Sequence, residues 1–219
     1  MKEDYFSTDT IARKSKQMLD DVYDQRSLHN IAFSLDHSAL LVLDMQDYFL
    51  KESSHAFIPS APAIIPNILS LIHAYEKHTL PIIFTRHINT PKNGAMMLRW
   101  WKEWIGPETP ASDICAELDT THSTIIEKPQ YDAFFKTSLD ELLCKNKIEK
   151  VVVTGVMTHL CCETTARSAF MRGYEVYFAI DGTATYNERY HRATLLNLAH
   201  GFVIPILTAE IIQLMQKCA

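Results

Sequence analysis

The feature that most constrains the fold of this 219-residue chain is an alternation of short apolar runs with longer stretches of helical spacing. The apolar runs are rich in Val and Ile and are continuous, which is typical of strands buried on both faces. Six runs are predicted to be strands: 39–43, 81–84, 124–126, 151–154, 176–180 and 203–207. Because strands that alternate with helices form sheets covered on both faces, the sequence predicts a three-layer α/β domain with a mostly parallel sheet.

The first 35 residues stand outside this alternation. Residues 11–22 have helical composition but precede the first strand, so we interpret 1–35 as an N-terminal helical arm and 36–219 as one domain. Segment 7–26 of the arm carries Ile11, Met18, Leu19 and Val22. The later helices of the predicted domain already cover both faces of its sheet, so the domain offers these side chains no evident apolar surface to pack against. We therefore expect these side chains to contact another subunit, in a homodimer or homotetramer.

Composition excludes several classes of function. The net charge of -5 comes with scattered basic residues, so nucleic acid is not an expected partner. With six glycines and no glycine-rich phosphate loop, the chain lacks the usual signals of nucleotide chemistry. No apolar run approaches the length of a membrane span, and we expect a cytoplasmic protein with no membrane partner. Five cysteines without regular spacing fit reduced thiols better than a disulfide framework.

Three reactive side chains follow predicted strands. Asp44 ends the first strand, Lys128 comes just after the third, and Cys161 follows the fourth. The carboxyl ends of parallel strands meet at one edge of the sheet, where ligands bind. Cys161 also opens a helix, where the dipole and Lys128 would favour a thiolate, and Asp44 could exchange the thiol proton. Each residue alone also fits a structural role: a turn aspartate, a solvated lysine or a packing cysteine.

Three motifs carry a family resemblance. They are Leu-Asp-Met-Gln-Asp-Tyr-Phe at 43–49, Lys-Pro-Gln-Tyr-Asp-Ala-Phe at 128–134, and the stretch 155–167 around the vicinal cysteines. In these motifs the chain resembles the isochorismatase-like hydrolases, which include nicotinamidases, ureidoacrylate and N-carbamoylsarcosine amidohydrolases, and isochorismatases. The resemblance implies a catalytic triad of Asp44, Lys128 and Cys161, with Cys162 in the core. It also implies a cis peptide between Val156 and Met157, and an oxyanion hole formed by the N–H groups of Met157 and Cys161.

Cys161 favours one of the functions that the resemblance implies over the others. Isochorismatases resemble the chain at 44–49 but have Gly in place of the nucleophile, because vinyl-ether hydrolysis needs only protonation and water attack. Cys161 therefore favours a hydrolase that cleaves an amide, ureido or carbamoyl C–N bond of a small molecule through a thioester. A vinyl-ether hydrolase that uses Asp44 as general acid and a non-catalytic homologue remain as alternatives.

Nicotinamidases hold a metal with an Asp-x-His pair, which is absent here, so neither a metal nor another cofactor is expected. The sequence predicts pocket residues near the triad: Gln46, Tyr48, Arg86, His87, Trp100, Tyr131, Phe134 and His159. The tryptophan-rich segment 96–105 is core, a subunit interface or a lid over the pocket. Within it, the spacing of Trp100 and Trp104 predicts one shared helical face.

Overall fold

The protein folds around one six-stranded sheet in a computed structural model, which describes residues 1–29, 33–101 and 103–217. The sheet order is β3-β2-β1-β4-β5-β6, and all the described strand pairs are parallel. The strands are β1 (Ser38–Leu43), β2 (Ile82–His87), β3 (Thr124–Lys128), β4 (Lys150–Val156), β5 (Glu175–Ala184) and β6 (Ile204–Ile206). Each overlaps a predicted strand, so the predicted α/β architecture is confirmed. Residues 30–32 of the predicted arm, and Cys218 and Ala219, lie outside the described residues.

Helices cover the sheet between the strands. They are α1 (Ile11–Asp21), α2 (Tyr23–Leu28), α3 (Asp47–Leu50), α4 (Ala61–Lys77), α5 (Met97–Trp100), α6 (Leu139–Lys145), α7 (Glu163–Met171), α8 (Glu188–Gly201) and α9 (Thr208–Lys217). Helices α4 and α9 pack against each other and against β5, while α7 packs against α8 and also contacts β5. In the ranges that the structure describes, no helix has the length and apolarity that a bilayer crossing requires.

The two central strands explain why the sheet forms where it does. Every residue of β1 and β4 is buried, as the continuous apolar runs predicted. The two backbones approach closely at Gly155, where an added Cβ would lie 2.0 Å from the carbonyl oxygen of Leu43. Gly155 also has φ +104°, a conformation that L side chains rarely adopt. This approach fixes the carboxyl end of β4 beside that of β1.

The N-terminal arm packs on its own chain. Ile11, Met18, Leu19 and Val22 are all buried in the same hydrophobic core as the sheet, and α1 packs against β5. The expectation that these side chains need another subunit was therefore wrong, because β5 presents apolar surface that the arm itself covers. The homo-oligomer stays a prediction without this support, and so does the division at residue 35. The four cysteines that the structure describes are free thiols.

Candidate active site

Asp44, Lys128 and Cys161 meet at the carboxyl edge of the sheet. Asp44 directly follows β1, Lys128 is the last residue of β3, and Cys161 lies in a π-helical turn, Thr158–Cys162, beyond β4. The ammonium nitrogen of Lys128 is 2.7 Å from Asp44 Oδ2 and 3.3 Å from Cys161 Sγ. All three residues are buried. Lys128 therefore contacts both the carboxylate and the thiol in a space that excludes bulk water.

Asp44 is held in an unusual backbone conformation. Its φ is +52°, in the left-handed region that non-glycine residues seldom occupy and that is enriched at functional sites. The hydroxyl of Thr85 donates to Asp44 Oδ1 at 2.6 Å, and the N–H of Asp44 donates back to Thr85 Oγ1 at 3.1 Å. The other oxygen, Oδ2, lies 2.7 Å from the ammonium of Lys128. Thr85 and Lys128 thus each contact one oxygen of the carboxylate.

Lys128 is an ammonium without exposed surface. Burial by itself lowers the pKa of Lys128, but the Asp44 carboxylate and the Cys161 sulfur together more than offset this, so the pKa lies above its ordinary value. The ammonium also donates to the carbonyl oxygen of Gln130 at 2.9 Å. A buried charge persists where it is paired and hydrogen-bonded, and Lys128 meets both conditions. It is therefore a fixed positive charge within the site.

The thiol of Cys161 differs from the expectation. Burial, reinforced by the Asp44 carboxylate, outweighs the effect of Lys128 and raises the pKa of Cys161 to about 12. The residue also lies inside the π-helical turn, two positions before α7 begins at Glu163, so it is not the first residue of that helix. The shift is opposite to the lowering of the pKa that the dipole and Lys128 were expected to produce. A thiol with a raised pKa is protonated at neutral pH.

A cavity opens above the thiol. The empty space in and above it amounts to about 560 Å³, including its open mouth. Cys161, Met157 and Leu160 form part of its wall, and aromatic side chains form much of the rest: Tyr48, Phe49, Trp101, Trp104, Tyr131 and Tyr186. The shape and lining fit a small, largely apolar molecule with one reactive polar group.

Three of the predicted pocket residues line this cavity, namely Tyr48, His87 and Tyr131. His87 is buried, and burial, together with the positive charge of Lys128, lowers its pKa to about 4. Its Nε2 lies 3.0 Å from Asn89 Oδ1, while Nδ1 has no hydrogen-bond partner. Asn89 and Tyr186 also line the cavity and were missed. Each lies two residues past the end of a strand, and that position was the available signal.

Two other predicted pocket residues, Gln46 and Arg86, do not line the cavity and form hydrogen bonds with the neighbouring backbone instead. Gln46 Oε1 accepts the N–H of His87 at 2.7 Å, and Gln46 Nε2 donates to the carbonyl of Ser112 at 2.7 Å. Arg86 points away toward Ser112, where its Nε donates to the same carbonyl at 3.1 Å. Both side chains lie outside the cavity because they connect β2 to the loop at Ser112.

Phe134 and His159 are also absent from the cavity wall, so their prediction as pocket residues was wrong. Phe134 is buried in the core, with its ring stacked on Tyr174 at 6.0 Å between centroids. His159 Nδ1 lies 2.6 Å from Thr185 Oγ1, and its ring stacks on Tyr190. The π-helical turn directs Leu160 and Cys161 into the cavity and His159 to its outer side.

The tryptophan-rich segment covers the cavity with only part of its length. Helix α5 ends at Trp100, and Trp101 is extended (φ -102°, ψ 144°), so Trp100 and Trp104 do not share a helical face. Trp101 and Trp104 line the cavity, and Trp101 Nε1 donates to Tyr131 Oη at 2.8 Å. Trp100 is 72% exposed and lies outside the cavity, which corrects its prediction as a pocket residue.

Comparison with known proteins decides the family. The model of the isochorismatase domain matches residues 38–210. This chain belongs to the isochorismatase family. It is 42% identical over 170 residues to "Nicotinamidase 3" of Arabidopsis thaliana, covering 75% of this chain and 82% of that protein. Since its homologues are nicotinamidase, amidase and isochorismatase enzymes, the chain is a hydrolase.

More distant relatives share the fold. "Enterobactin synthase component B" of Escherichia coli K12 is 26% identical over 83% of this chain, which spans 64% of that protein's length. The crystal structure of a cysteine hydrolase from Pseudomonas syringae pv. phaseolicola superposes with a TM-score of 0.80 at 23% identity, covering 86% of this chain and 98% of that one. Pyrazinamidase of Pyrococcus horikoshii in complex with zinc superposes with a TM-score of 0.70 at 24% identity, over 78% and 99% of the chains.

The zinc of that relative raises the question of a metal in this isochorismatase-family site. Donor atoms of Asp44, His87 and Cys161 lie within 4.8 Å of one another and are the candidate ligands among the described residues. The ammonium of Lys128 already lies 2.7 Å from the carboxylate and 3.3 Å from the sulfur. A divalent cation held by the same atoms would contact that ammonium, and like charges at such distances repel strongly. These residues do not fit a metal ion.

The backbone beside the Cys161 thiol forms part of the cavity wall. The peptide bond between Val156 and Met157 is cis, and Met157 lines the cavity together with Cys161. The two residues are thus adjacent to the space that a substrate carbonyl would occupy. Their assignment as the oxyanion hole stays a prediction.

Proposed function

We propose that this hydrolase cleaves the C–N bond of a small amide through a thioester on Cys161. The observation that carries the proposal is the buried contact of one ammonium with both a carboxylate and a thiol. Acyl transfer from an amide needs a nucleophile, a group that moves its proton and a charge that stabilises the intermediate. Cys161, Asp44 and Lys128 supply these three functions.

The first half of the reaction forms the thioester. Asp44 takes the proton of the Cys161 thiol as Sγ adds to the substrate carbonyl carbon. The N–H groups of Met157 and Cys161 stabilise the oxyanion that forms, and Lys128 stabilises the negative charge on the thiolate. Asp44 then gives its proton to the departing nitrogen, the C–N bond breaks, and ammonia or an amine leaves. The raised pKa of Cys161 makes this proton transfer necessary at neutral pH.

The second half releases the acid. A water molecule enters beside the thioester and gives a proton to Asp44 as its oxygen adds to the acyl carbon. When this second tetrahedral intermediate collapses, the C–S bond breaks and the thiolate regains the proton from Asp44. The products are a carboxylic acid and the resting thiol, so Asp44 transfers one proton in each half of the cycle.

The walls of the cavity narrow the substrate class. Aromatic rings at Tyr48, Trp101, Tyr131 and Tyr186 favour a flat substrate that can stack or pack edge-on. The relative at 42% identity is named a nicotinamidase, so a planar ring carboxamide is the first compound to test. Small ureido and carbamoyl compounds are the next class, because their reacting group is also a carbonyl bonded to nitrogen.

The test is release of ammonia from a panel of nicotinamide, other small amides, ureido acids and carbamoyl amino acids. Cys161→Ala should abolish release from the best substrate. Cys162→Ala is the matched control, since the neighbouring thiol is equally buried and its closest hydrogen-bonding contact is the carbonyl of Thr154 at 3.9 Å. Cys162→Ala should keep most of the activity. Near-full ammonia release by Cys161→Ala would contradict the covalent route, and a wild type that releases no ammonia from any compound of the panel would favour vinyl-ether hydrolysis with Asp44 as the acid.

A further inference from the structure

The residues that precede the family domain reach the active site. The isochorismatase model begins at residue 38, yet the first six residues of the chain lie against the loop after β5. The N–H of Glu3 donates to the carbonyl of Tyr186 at 2.7 Å, and the ammonium of Lys2 lies 4.8 Å above the ring of Tyr186. Since Tyr186 lines the cavity, the N-terminal segment supports part of the cavity wall from behind.

Tyr5 makes the most buried of these contacts. Its hydroxyl accepts the N–H of Thr185 at 3.0 Å and lies 2.8 Å from His191 Nδ1. Tyr5 is 3% exposed and His191 has no exposed surface. An amide N–H can only donate, so the Tyr5 oxygen accepts from Thr185, and the same hydroxyl forms a hydrogen bond with His191 Nδ1.

The protonation of His191 makes this arrangement constant. Burial lowers the pKa of His191 to about 3, so its imidazole is neutral across the physiological range. Burial also raises the pKa of Tyr5 far above its ordinary value, so its hydroxyl keeps the proton. The hydrogen bond therefore joins two side chains whose charge does not change across that range.

His191 also contacts the π-helical turn that contains Cys161. His191 Nδ1 lies 3.5 Å from Thr158 Oγ1, and Thr158 is the first residue of the π-helical turn that contains Cys161. On the other side, Thr185 immediately precedes Tyr186. One hydroxyl thus connects the cavity wall, helix α8 and the start of the catalytic turn.

We infer that Tyr5, outside the family domain, is a positioning residue that holds the turn of Cys161 and the wall at Tyr186 in place for catalysis. The inference rests on the proposed function in that Cys161 is taken as the nucleophile. Tyr5 acts through Thr185, His191 and Thr158 and has no direct contact with the substrate cavity. Its hydroxyl should therefore affect the rate of turnover more than the stability of the fold.

A second tyrosine offers a matched control at the other end of β5. Tyr174 precedes the first residue of β5, is also buried, and donates its hydroxyl proton to Asp140 Oδ1 at 2.9 Å. Tyr5→Phe and Tyr174→Phe each remove one hydroxyl with its hydrogen bonds, those of Tyr5 buried and that of Tyr174 partly buried. A purely structural role of Tyr5 predicts that Tyr5→Phe lowers Tm but changes activity no more than Tyr174→Phe does.

Two readouts separate positioning from stability. The first is kcat on the best amide of the panel, which should fall about tenfold in Tyr5→Phe and stay unchanged in Tyr174→Phe. The second needs no substrate: the pH dependence of Cys161 alkylation by iodoacetamide, followed by mass spectrometry of the labelled peptide. A loosened turn admits water to the thiol, so the alkylation midpoint should move to lower pH in Tyr5→Phe alone.

Coupling to Thr158 provides an independent check. If Tyr5 acts through the turn, Thr158→Val should reduce kcat less in Tyr5→Phe than in the wild type. Strictly additive effects, or identical alkylation profiles of Tyr5→Phe and Tyr174→Phe, would overturn the inference. A wild-type enzyme that releases no ammonia from the panel would overturn the proposed function instead, and the alkylation profiles would still decide the role of Tyr5.

Discussion

Two buried lysines lie at opposite edges of the sheet, and their surroundings differ in how much water and charge they contact. Lys128 is the last residue of β3 and is 1% exposed, and Lys150 is the first residue of β4 and is 8% exposed. Lys150 donates to the carbonyl of Asp36 at 3.1 Å and lies 3.8 Å from the exposed carboxylate of Glu149. The side chain of Lys150 is 10% exposed and that of Glu149 is 66% exposed, so this ion pair lies beside solvent, as is common for long cationic side chains with buried stems.

Lys128 keeps its charge inside instead. Lys128 and its partner Asp44 have almost no exposed surface, and its other partner, Cys161, is 5% exposed and lines the cavity. A buried ion pair contributes little net stability compared with apolar packing, so the carboxyl edge holds these charges for a purpose other than folding. The contrast is the one expected of an open parallel sheet, whose ligands bind at the carboxyl ends of its strands.

The largest expected effect comes from removing each charge in turn. Lys128→Met leaves the Asp44 carboxylate buried without its partner, which should lower the free energy of unfolding by about 3–5 kcal/mol. Amide turnover should fall by about a hundredfold or more, since the intermediate loses its stabilising charge. Urea denaturation and steady-state kinetics measure the two effects.

Lys150→Met is the matched control at the other edge. Water can replace its contacts at the surface, so the cost should be about 1 kcal/mol or less, with unchanged kcat. Equal destabilisation by the two substitutions would show that the charge of Lys128 is not buried in the way described.

Two glycines with positive φ allow a second comparison between the two edges of the sheet. Gly155 lies near the carboxyl end of β4, and Gly173 (φ +92°) precedes β5 at the opposite edge. Gly173→Ala meets no atom within 4 Å and should cost about 1–2 kcal/mol for its backbone conformation alone.

Gly155→Ala should cost distinctly more, because its Cβ would lie 2.0 Å from the carbonyl oxygen of Leu43 and would push β1 and β4 apart. Thermal unfolding of the two variants measures the difference. A smaller loss in Gly155→Ala than in Gly173→Ala would mean that the close approach of β1 and β4 is not required.

The smallest effect concerns pH. The pKa of His87 in the folded chain is about 4, below its ordinary 6.5, because burial and Lys128 oppose its protonation. The unfolded chain therefore binds this proton first as the pH falls. The free energy of unfolding therefore falls as the pH drops from about 6.5 to about 4, and by about pH 5 the loss should amount to roughly 2 kcal/mol.

His87→Gln should therefore flatten the fall in unfolding free energy between about pH 7 and pH 5. His37→Gln is the control, since His37 is exposed just before β1, at the amino edge of the sheet. Parallel pH profiles for wild type and His87→Gln would contradict the buried, uncharged state of His87.

The sequence predicted the fold better than the ends of its strands. Continuous apolar runs located all six strands, yet β2 continues through Thr85 and Arg86 to His87, and β5 continues through Asp181 to Ala184. The strands extend past the apolar runs because the site satisfies their polar side chains, as the hydrogen bond of Thr85 to Asp44 illustrates. An apolar pattern stops where such a site begins.

The sequence predicted which residues meet at the site, but it did not predict how far each is buried or in which protonation state it rests. Positions after strands identified Asp44, Lys128 and Cys161, because the order of parallel strands brings those positions together. The state of the Cys161 thiol depends on burial among segments distant in sequence, such as Trp101 and Trp104, which line the cavity beside it. The exposure of Trp100 depends on where α5 ends, which the four-residue spacing of Trp100 and Trp104 does not indicate.

The most direct test of the account is to trap the acyl group on Cys161. The enzyme is mixed with its best amide substrate, quenched in acid within milliseconds to seconds, and its intact mass and peptides are measured. The account predicts an added mass equal to the acyl group, confined to the peptide of Cys161 and lost on treatment with hydroxylamine. It also predicts that Cys162→Ala gives the same adduct and Cys161→Ala none. Efficient turnover without any adduct on Cys161, or turnover retained in Cys161→Ala, would contradict covalent catalysis by this residue.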